Sequence, residues 1–227
     1  SGFLSAFEGS LALDEVQRAP DVFLAIKTLV DKKRRPGKFL LTGSANGLLL
    51  PRIAESLAGR MEILTLWPFS QSEIEGVRKS FVDLLFAPSL SAVRTKTETK
   101  TKIIERMLIG GYPEVFQRTS AERRAAWFRS YITTILQRDV KDITNINGLT
   151  ALPRLLSLLA ARSTGLVNFA EIATGSKLPQ STLKRYVSLL EMTFLIHELP
   201  AWSVNMSKRL IKTPKLYLTD TGVMGHL

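Results

Sequence analysis

The chain has 227 residues, 45% of them hydrophobic, with 31 Lys and Arg against 20 Asp and Glu, a formal net charge of +11. This allows one large domain or two small ones, excludes a disordered tail, and favours a polyanionic partner: a phosphate-bearing ligand, nucleic acid or a membrane surface. The absence of cysteine excludes disulfides, thiolate metal sites and cysteine nucleophiles, and only His197 and His226 are available for imidazole chemistry.

The charge is unevenly spread. Residues 1–75 hold nine basic and nine acidic residues, 76–150 thirteen and seven, and 151–227 nine and four. A neutral first part followed by a basic remainder implies units with different tasks. No apolar run approaches the roughly 20 residues that span a bilayer, and no signal peptide is visible, so a cytoplasmic protein with no membrane partner is expected.

Along the chain, Ser10-Leu11-Ala12-Leu13 reads as a short strand ending in Asp14-Glu15. Pro20-Asp21 opens a helix with Phe23, Ile26 and Val30 on one side, and Lys32, Lys33, Arg34 and Arg35 are expected in its last turn. Lys38-Phe39-Leu40-Leu41-Thr42-Gly43 reads as a second strand and Met61-Glu62-Ile63-Leu64-Thr65-Leu66 as a third. Strands separated by helices predict an α/β fold with a mainly parallel sheet.

The middle predicts helices. Thr119-Ser120-Ala121-Glu122 fits a capping box, and Trp127, Tyr131 and Ile135 share a face beside Phe128, Ile132 and Leu136. Further on come a leucine-rich helix over 152–161, a short helix opened by Asn168-Phe169-Ala170-Glu171, and a turn. A helix over 181–192 follows, then two strand-like runs around 194–199 and 215–218. That order is the order of a winged helix-turn-helix. Trp127 and Trp202 are expected to pack rather than to stack on a ligand, and His197 to lie in the core or at a strand edge.

Two acids at the carboxyl end of an apolar strand have the form of a Walker B pair. Asp14 would help hold the magnesium of a nucleotide, and Glu15 would orient a water for attack on the γ-phosphate. The plain alternative is an exposed acidic turn. One βα unit later, Thr42, Ser44 and Asn46 end the next strand, and strand ends on one edge of a parallel sheet converge on one crevice. Arg60 precedes the third strand, where it can meet a phosphate in its own or a neighbouring subunit.

The runs Asp14-Glu15-Val16-Gln17, Leu41-Thr42-Gly43-Ser44-Ala45-Asn46, Leu57-Ala58-Gly59-Arg60 and Leu66-Trp67-Pro68-Phe69-Ser70 resemble successive motifs of prokaryotic AAA-type ATPases. The members concerned carry a C-terminal domain of unknown function that begins with a winged helix. Gly110-Gly111-Tyr112-Pro113-Glu114, Gln137-Arg138-Asp139-Val140 and Leu216-Tyr217-Leu218-Thr219-Asp220-Thr221-Gly222 resemble later motifs of the same family. The resemblance implies a partial AAA-type, P-loop NTPase-like parallel sheet over 1–75, a helical lid over 76–148 and a winged helix-turn-helix over 149–227. It implies ATP and magnesium as cofactors of the intact parent, with Asp14 and Glu15 as the Walker B pair, Asn46 and Ser44 in the sensor-1 region, and Arg60 as an arginine finger.

The phosphate-binding signature G-x-x-x-x-G-K-S/T does not occur in these 227 residues. In the family it lies upstream of Walker B, and a nuclease-like region follows the Thr-Asp-Thr-Gly stretch, so the chain is expected to be a fragment. With the strand of that loop missing from the sheet, the run 63–66 is expected to be irregular, or to find its contacts in a second copy.

The basic remainder has its own surface. Gln180, Ser181, Lys184 and Arg185 fall on the polar side of the second helix of the helix-turn-helix, and Lys208, Arg209 and Lys212 lie in the expected hairpin loop. These residue types contact phosphates and base edges of duplex DNA, although winged helices also serve as protein-docking modules.

Overall fold

A computed structural model describes residues 2–43, 56–77, 81–87, 97–140 and 149–227. The fold is α/β, with a small parallel sheet near its start and helices dominating the rest.

After the helical turn α1 (Gly2–Ser5), β1 (Leu11–Leu13) pairs in parallel with β2 (Phe39–Leu41), Leu11 opposite Phe39 and Leu13 opposite Leu41. Between them α2 (Val22–Lys32) turns Phe23 and Ile26 inward, one helical turn apart. With Leu4, Val16 and Leu57 they form a first buried cluster, flanked by the half-buried Leu11, Leu13, Phe39 and Leu41. The helix ends at Lys32, and Lys33 is already extended, so Lys33, Arg34 and Arg35 lie beyond the last turn expected to hold them.

The run 61–66 is not a strand. Ile63, Leu64 and Leu66 are 56%, 78% and 94% exposed, which no sheet-buried face allows. Its alternation was a strand signal, but a strand needs a neighbour, and the described sheet has only β1 and β2. The chain instead runs irregularly to α3 (Gln71–Ile74). There Ser70 and Glu73 form a reciprocal capping box, and the backbone and hydroxyl of Ser70 hold the Glu73 carboxyl below its ordinary range.

Then come α4 (Phe81–Leu85), α5 (Lys100–Ile109), α6 (Pro113–Phe116) and α7 (Ala121–Thr134), which runs on as a π-helical turn over Ile135–Asp139. Ser120 caps α7 through the Arg123 N–H, so Glu122 sits one position too early for the expected box. Phe128, Ile132 and Leu136 are buried, with Trp127, Tyr131 and Ile135 half-covered beside them.

A second and larger cluster joins this face to α8 (Leu152–Ala161), α9 (Phe169–Ser176) and α10 (Gln180–Met192). Asn168 caps α9 by accepting the Glu171 N–H, and Lys177 ends it in the left-handed conformation. Leu183, Tyr186, Val187 and Leu190 of α10 face inward, as their spacing predicts. The strands β3 (Ile196–Leu199) and β4 (Lys215–Leu218) pair antiparallel, Ile196 opposite Leu218, and Leu166 bridges to Lys215 on the far side of β4. Their connection is not the plain loop expected from sequence. It contains a short helix, α11 (Met206–Ile211), bearing Lys208 and Arg209, and Arg209 donates to the Ser203 carbonyl at 3.0 Å. Trp202 in the same connection is 75% exposed, so the expectation that it packs is not met. The chain closes with α12 (Thr221–His226), which packs on α5 and α7.

Candidate functional site

Parallel pairing places Asp14 and Thr42 directly after the carboxyl ends of β1 and β2. The Thr42 N–H donates to the Leu13 carbonyl at 2.9 Å and the Val16 N–H to the Thr42 carbonyl at 3.1 Å, so the ladder continues past both strands. This fixes the two side chains together, and the Thr42 hydroxyl donates to Asp14 Oδ1. The Glu15 N–H reaches the same oxygen at 3.0 Å. The Asp14 carboxylate therefore stands exposed but oriented.

Glu15 adopts φ 52°, ψ 42°, a left-handed conformation uncommon for a residue with a side chain. Its Oε2 accepts from Gln17 Nε2 at 2.5 Å and lies 3.9 Å from Arg18 Nε. Backbone outliers of this kind concentrate at sites where a side chain must be aimed.

Arg60 is elsewhere. Its guanidinium grips Asp31 in a two-point pair, Nε to Oδ1 at 2.6 Å and Nη2 to Oδ2 at 3.1 Å, and Nη1 donates to the Ala58 carbonyl. The hydrogen bond from Arg60 holds the Asp31 carboxyl below its ordinary range. Asp31 is in the last turn of α2, which starts near the strand carboxyl ends and rises about 1.5 Å per residue. The structure thus brings Arg60 to the opposite end of α2 from Asp14 and Glu15. Ser44 and Asn46 lie outside the described residues.

In the second part, Gln180, Ser181, Lys184 and Arg185 are all exposed along α10, and the Lys184 ammonium lies 5.7 Å from the centre of the Phe169 ring. Lys212 is exposed after α11 and Arg209 is half-buried. Lys208 is placed only by its backbone on α11.

Sequence reasoning missed a junction of three motifs. Asp220 is 5% exposed and accepts from backbone N–H groups, Gly111 at 2.6 Å on Oδ2 and Val223 at 2.8 Å on Oδ1, with the Gly222 N–H also directed at it. Burial raises its carboxyl above the ordinary range against the opposing pull of these donors. Gly110 has φ +71°, and a Cβ there would strike the Asp220 carboxylate. A Cβ on Gly111 would overlap the backbone of Phe69, whose N–H donates to the Gly111 carbonyl at 2.8 Å. A Cβ on Gly222 would lie 2.5 Å from the Phe128 ring. The glycines were readable as a tight turn, but not what approaches them. Tyr112 follows, half-buried, with its hydroxyl 3.0 Å from that of Tyr131; desolvation pushes its pKa upward.

A family model described as a domain of unknown function (DUF8612) matches residues 100–227, more than half of the chain. The chain belongs to this family. A second model, described as an AAA domain, matches residues 2–75 and marks an AAA-type ATPase-like region that contains β1, α2 and β2. Proteins of that kind generally use ATP and magnesium. Uncharacterized proteins of Mycobacterium bovis and Mycobacterium tuberculosis are each 33% identical over 224 residues, which is 99% of this chain and 45% of theirs. The chain thus spans about half the length of the curated relatives it matches. No solved structure matches it. Among the described residues no cluster of His, Asp and Glu has the makings of a metal site by itself, and no helix is long and apolar enough to cross a membrane.

Proposed function

We propose that this chain is part of a cytoplasmic AAA-type protein that binds ATP with magnesium, hydrolyses it, and passes the resulting change to a winged-helix unit. The observation that carries this reading is the Thr42–Asp14 hydrogen bond at the carboxyl ends of two parallel strands, beside the left-handed Glu15. A hard carboxylate oxygen suits magnesium, which commonly takes one or two carboxylates and completes its shell with phosphate and water. Asp14 would hold the metal–nucleotide pair, with Thr42 orienting its carboxylate. Glu15 would orient the attacking water, and Ser44 and Asn46 would complete the phosphate side. Another segment of the parent supplies the phosphate cradle. Arg60, tied to Asp31, would serve as a finger only on a neighbouring subunit's nucleotide and only after leaving that pair, which makes a homo-oligomer part of the reading.

The test is ATP turnover by the protein that carries this segment together with its phosphate-binding loop. Glu15→Gln is expected to cut kcat by roughly a hundredfold or more with ATP binding retained. Unchanged turnover in that variant overturns the assignment. The 227-residue chain alone is expected to show no turnover, and robust hydrolysis by it would place the cradle within these residues.

A second reading, duplex DNA binding by the winged helix, draws on the exposure of Gln180, Ser181, Lys184 and Arg185 on the helix that follows a tight turn. Lys208, Arg209 and Lys212 would grip the backbone from the β3–β4 connection. Lys184→Ala with Arg185→Ala should weaken binding across sequences and lower the slope of log K against log salt by about 0.9 for each phosphate that is no longer neutralised. Wild-type affinity and slope in the double variant would remove DNA from consideration for this face and favour protein docking.

A further inference from the structure

The run 61–70 pairs with no strand among the described residues, yet it is held at two points. Trp67 lies edge-on to Phe194, ring centres 5.4 Å apart, and to His197 at 6.0 Å. Two residues on, the Phe69 backbone fills the space that a Cβ on Gly111 would need and donates its N–H to the Gly111 carbonyl. Both anchors adjoin members of the larger cluster, Gly111 next to Tyr112 and Phe194 next to Leu195, whereas Leu57, just upstream of the run, is buried in the first cluster.

The receiving surface is built for this. Gly111 is buried, with its N–H held by Asp220 on one side of its Cα and its carbonyl held by the Phe69 N–H on the other, so Asp220 fixes the residue whose carbonyl meets Phe69. Asp220 is itself set by capping α12 through Val223. Phe194 takes φ 58° immediately beyond α10, and its carbonyl accepts the Thr219 hydroxyl at 2.5 Å, one residue before Asp220. The two anchors therefore meet in one stretch, Thr219-Asp220, and one of them abuts the end of the helix with the exposed basic face.

We propose that residues 61–70 form a strap that links the nucleotide-type unit to the second unit, with Gly111 as its socket, Asp220 as the residue that positions the socket, and Trp67 as its side-chain anchor. Displacement of the Arg60 end of the first unit is then delivered to the end of α10 through Trp67 and to α12 through Gly111 and Asp220. The strap stands on its two anchors alone, so failure of the ATPase reading leaves it intact.

Hydrogen exchange on the 227-residue chain tests it. The Phe69 N–H is expected to be protected. Gly111→Ala, whose Cβ occupies the place of the Phe69 backbone, is expected to speed exchange at Phe69 by about tenfold or more, the scale of one net hydrogen bond. The N–H groups of Leu216, bonded to the Gly165 carbonyl, and Thr219, bonded to that of Leu195, should keep their protection. Trp67→Ala removes the other anchor from a side chain that is 49% exposed, so the fold survives it, and it too should speed exchange at Phe69. A Phe69 N–H that exchanges as in a free peptide in the unsubstituted chain overturns the strap. So does unchanged protection at Phe69 in Trp67→Ala, whatever Gly111→Ala does to folding.

Discussion

Asp220→Ala is expected to lower the melting temperature by roughly 6–12 °C, the shift that about 3 kcal/mol produces in a chain of this size. Two losses combine. Val223 loses the carboxylate that caps α12, and the buried Gly111 N–H loses its acceptor. A lost cap costs about 1 kcal/mol, and a buried donor left unpaired costs about 1–3 kcal/mol. Relief from burying a carboxylate offsets part of the second. Asp220→Asn should fall between, because its single carbonyl oxygen serves only one donor and its amide nitrogen must face the other. The pH dependence gives a second signature. Burial raises the folded-state pKa of Asp220 above its unfolded value, so its contribution is fullest below the unfolded pKa and declines as pH rises through the folded one. The cost of either substitution should therefore be larger in acid than at neutral pH. A thermal midpoint for Asp220→Ala within a degree or so of the unsubstituted chain would mean that the junction of Gly111, Asp220 and Val223 holds nothing together.

Features carried by local pattern were legible in the sequence, and features that depend on a distant approach were not. β1, α2 and β2 follow from apolar spacing and from Pro20 and Pro36-Gly37, and these in turn put Asp14 and Thr42 side by side. The inward faces of α7 and α10 follow from helical periodicity. The run 61–66 alternates as a strand does, but alternation records only which side chains would share a face and not whether a neighbouring strand exists. The Asp31 partner of Arg60 lies 29 residues back on a helix end, a pairing that neither stretch of sequence names. Gly111 and Asp220 are 109 residues apart, and nothing in either motif names the other. The helix Met206–Ile211 is six residues long, too short for periodicity to declare it against a basic loop.

Phe23→Ala is expected to unfold the first unit and leave the second standing. Phe23 is 2% exposed and belongs to a cluster whose other buried members among the described residues are Leu4, Val16, Ile26 and Leu57. Truncating a buried Phe costs about 3–5 kcal/mol. A core of that size supplies about as much, so the substitution removes most of what holds β1, α2 and β2 together. The second cluster runs from Val115 to Val223 and contains none of these side chains. Thr42 and Leu11, whose N–H groups bond to Leu13 and Lys38, should then exchange as in an unfolded peptide, while Leu216 and Thr219 stay protected. Phe69 should stay protected as well, because both of its anchors belong to the second unit. Leu155→Ala, at a fully buried position of the larger core, should show the converse, with protection at Leu216 and Thr219 reduced by a loss of about 2–5 kcal/mol. If Phe23→Ala strips protection from Thr42 and Thr219 together, the two clusters are one cooperative unit, and the strap between them transmits stability as well as position.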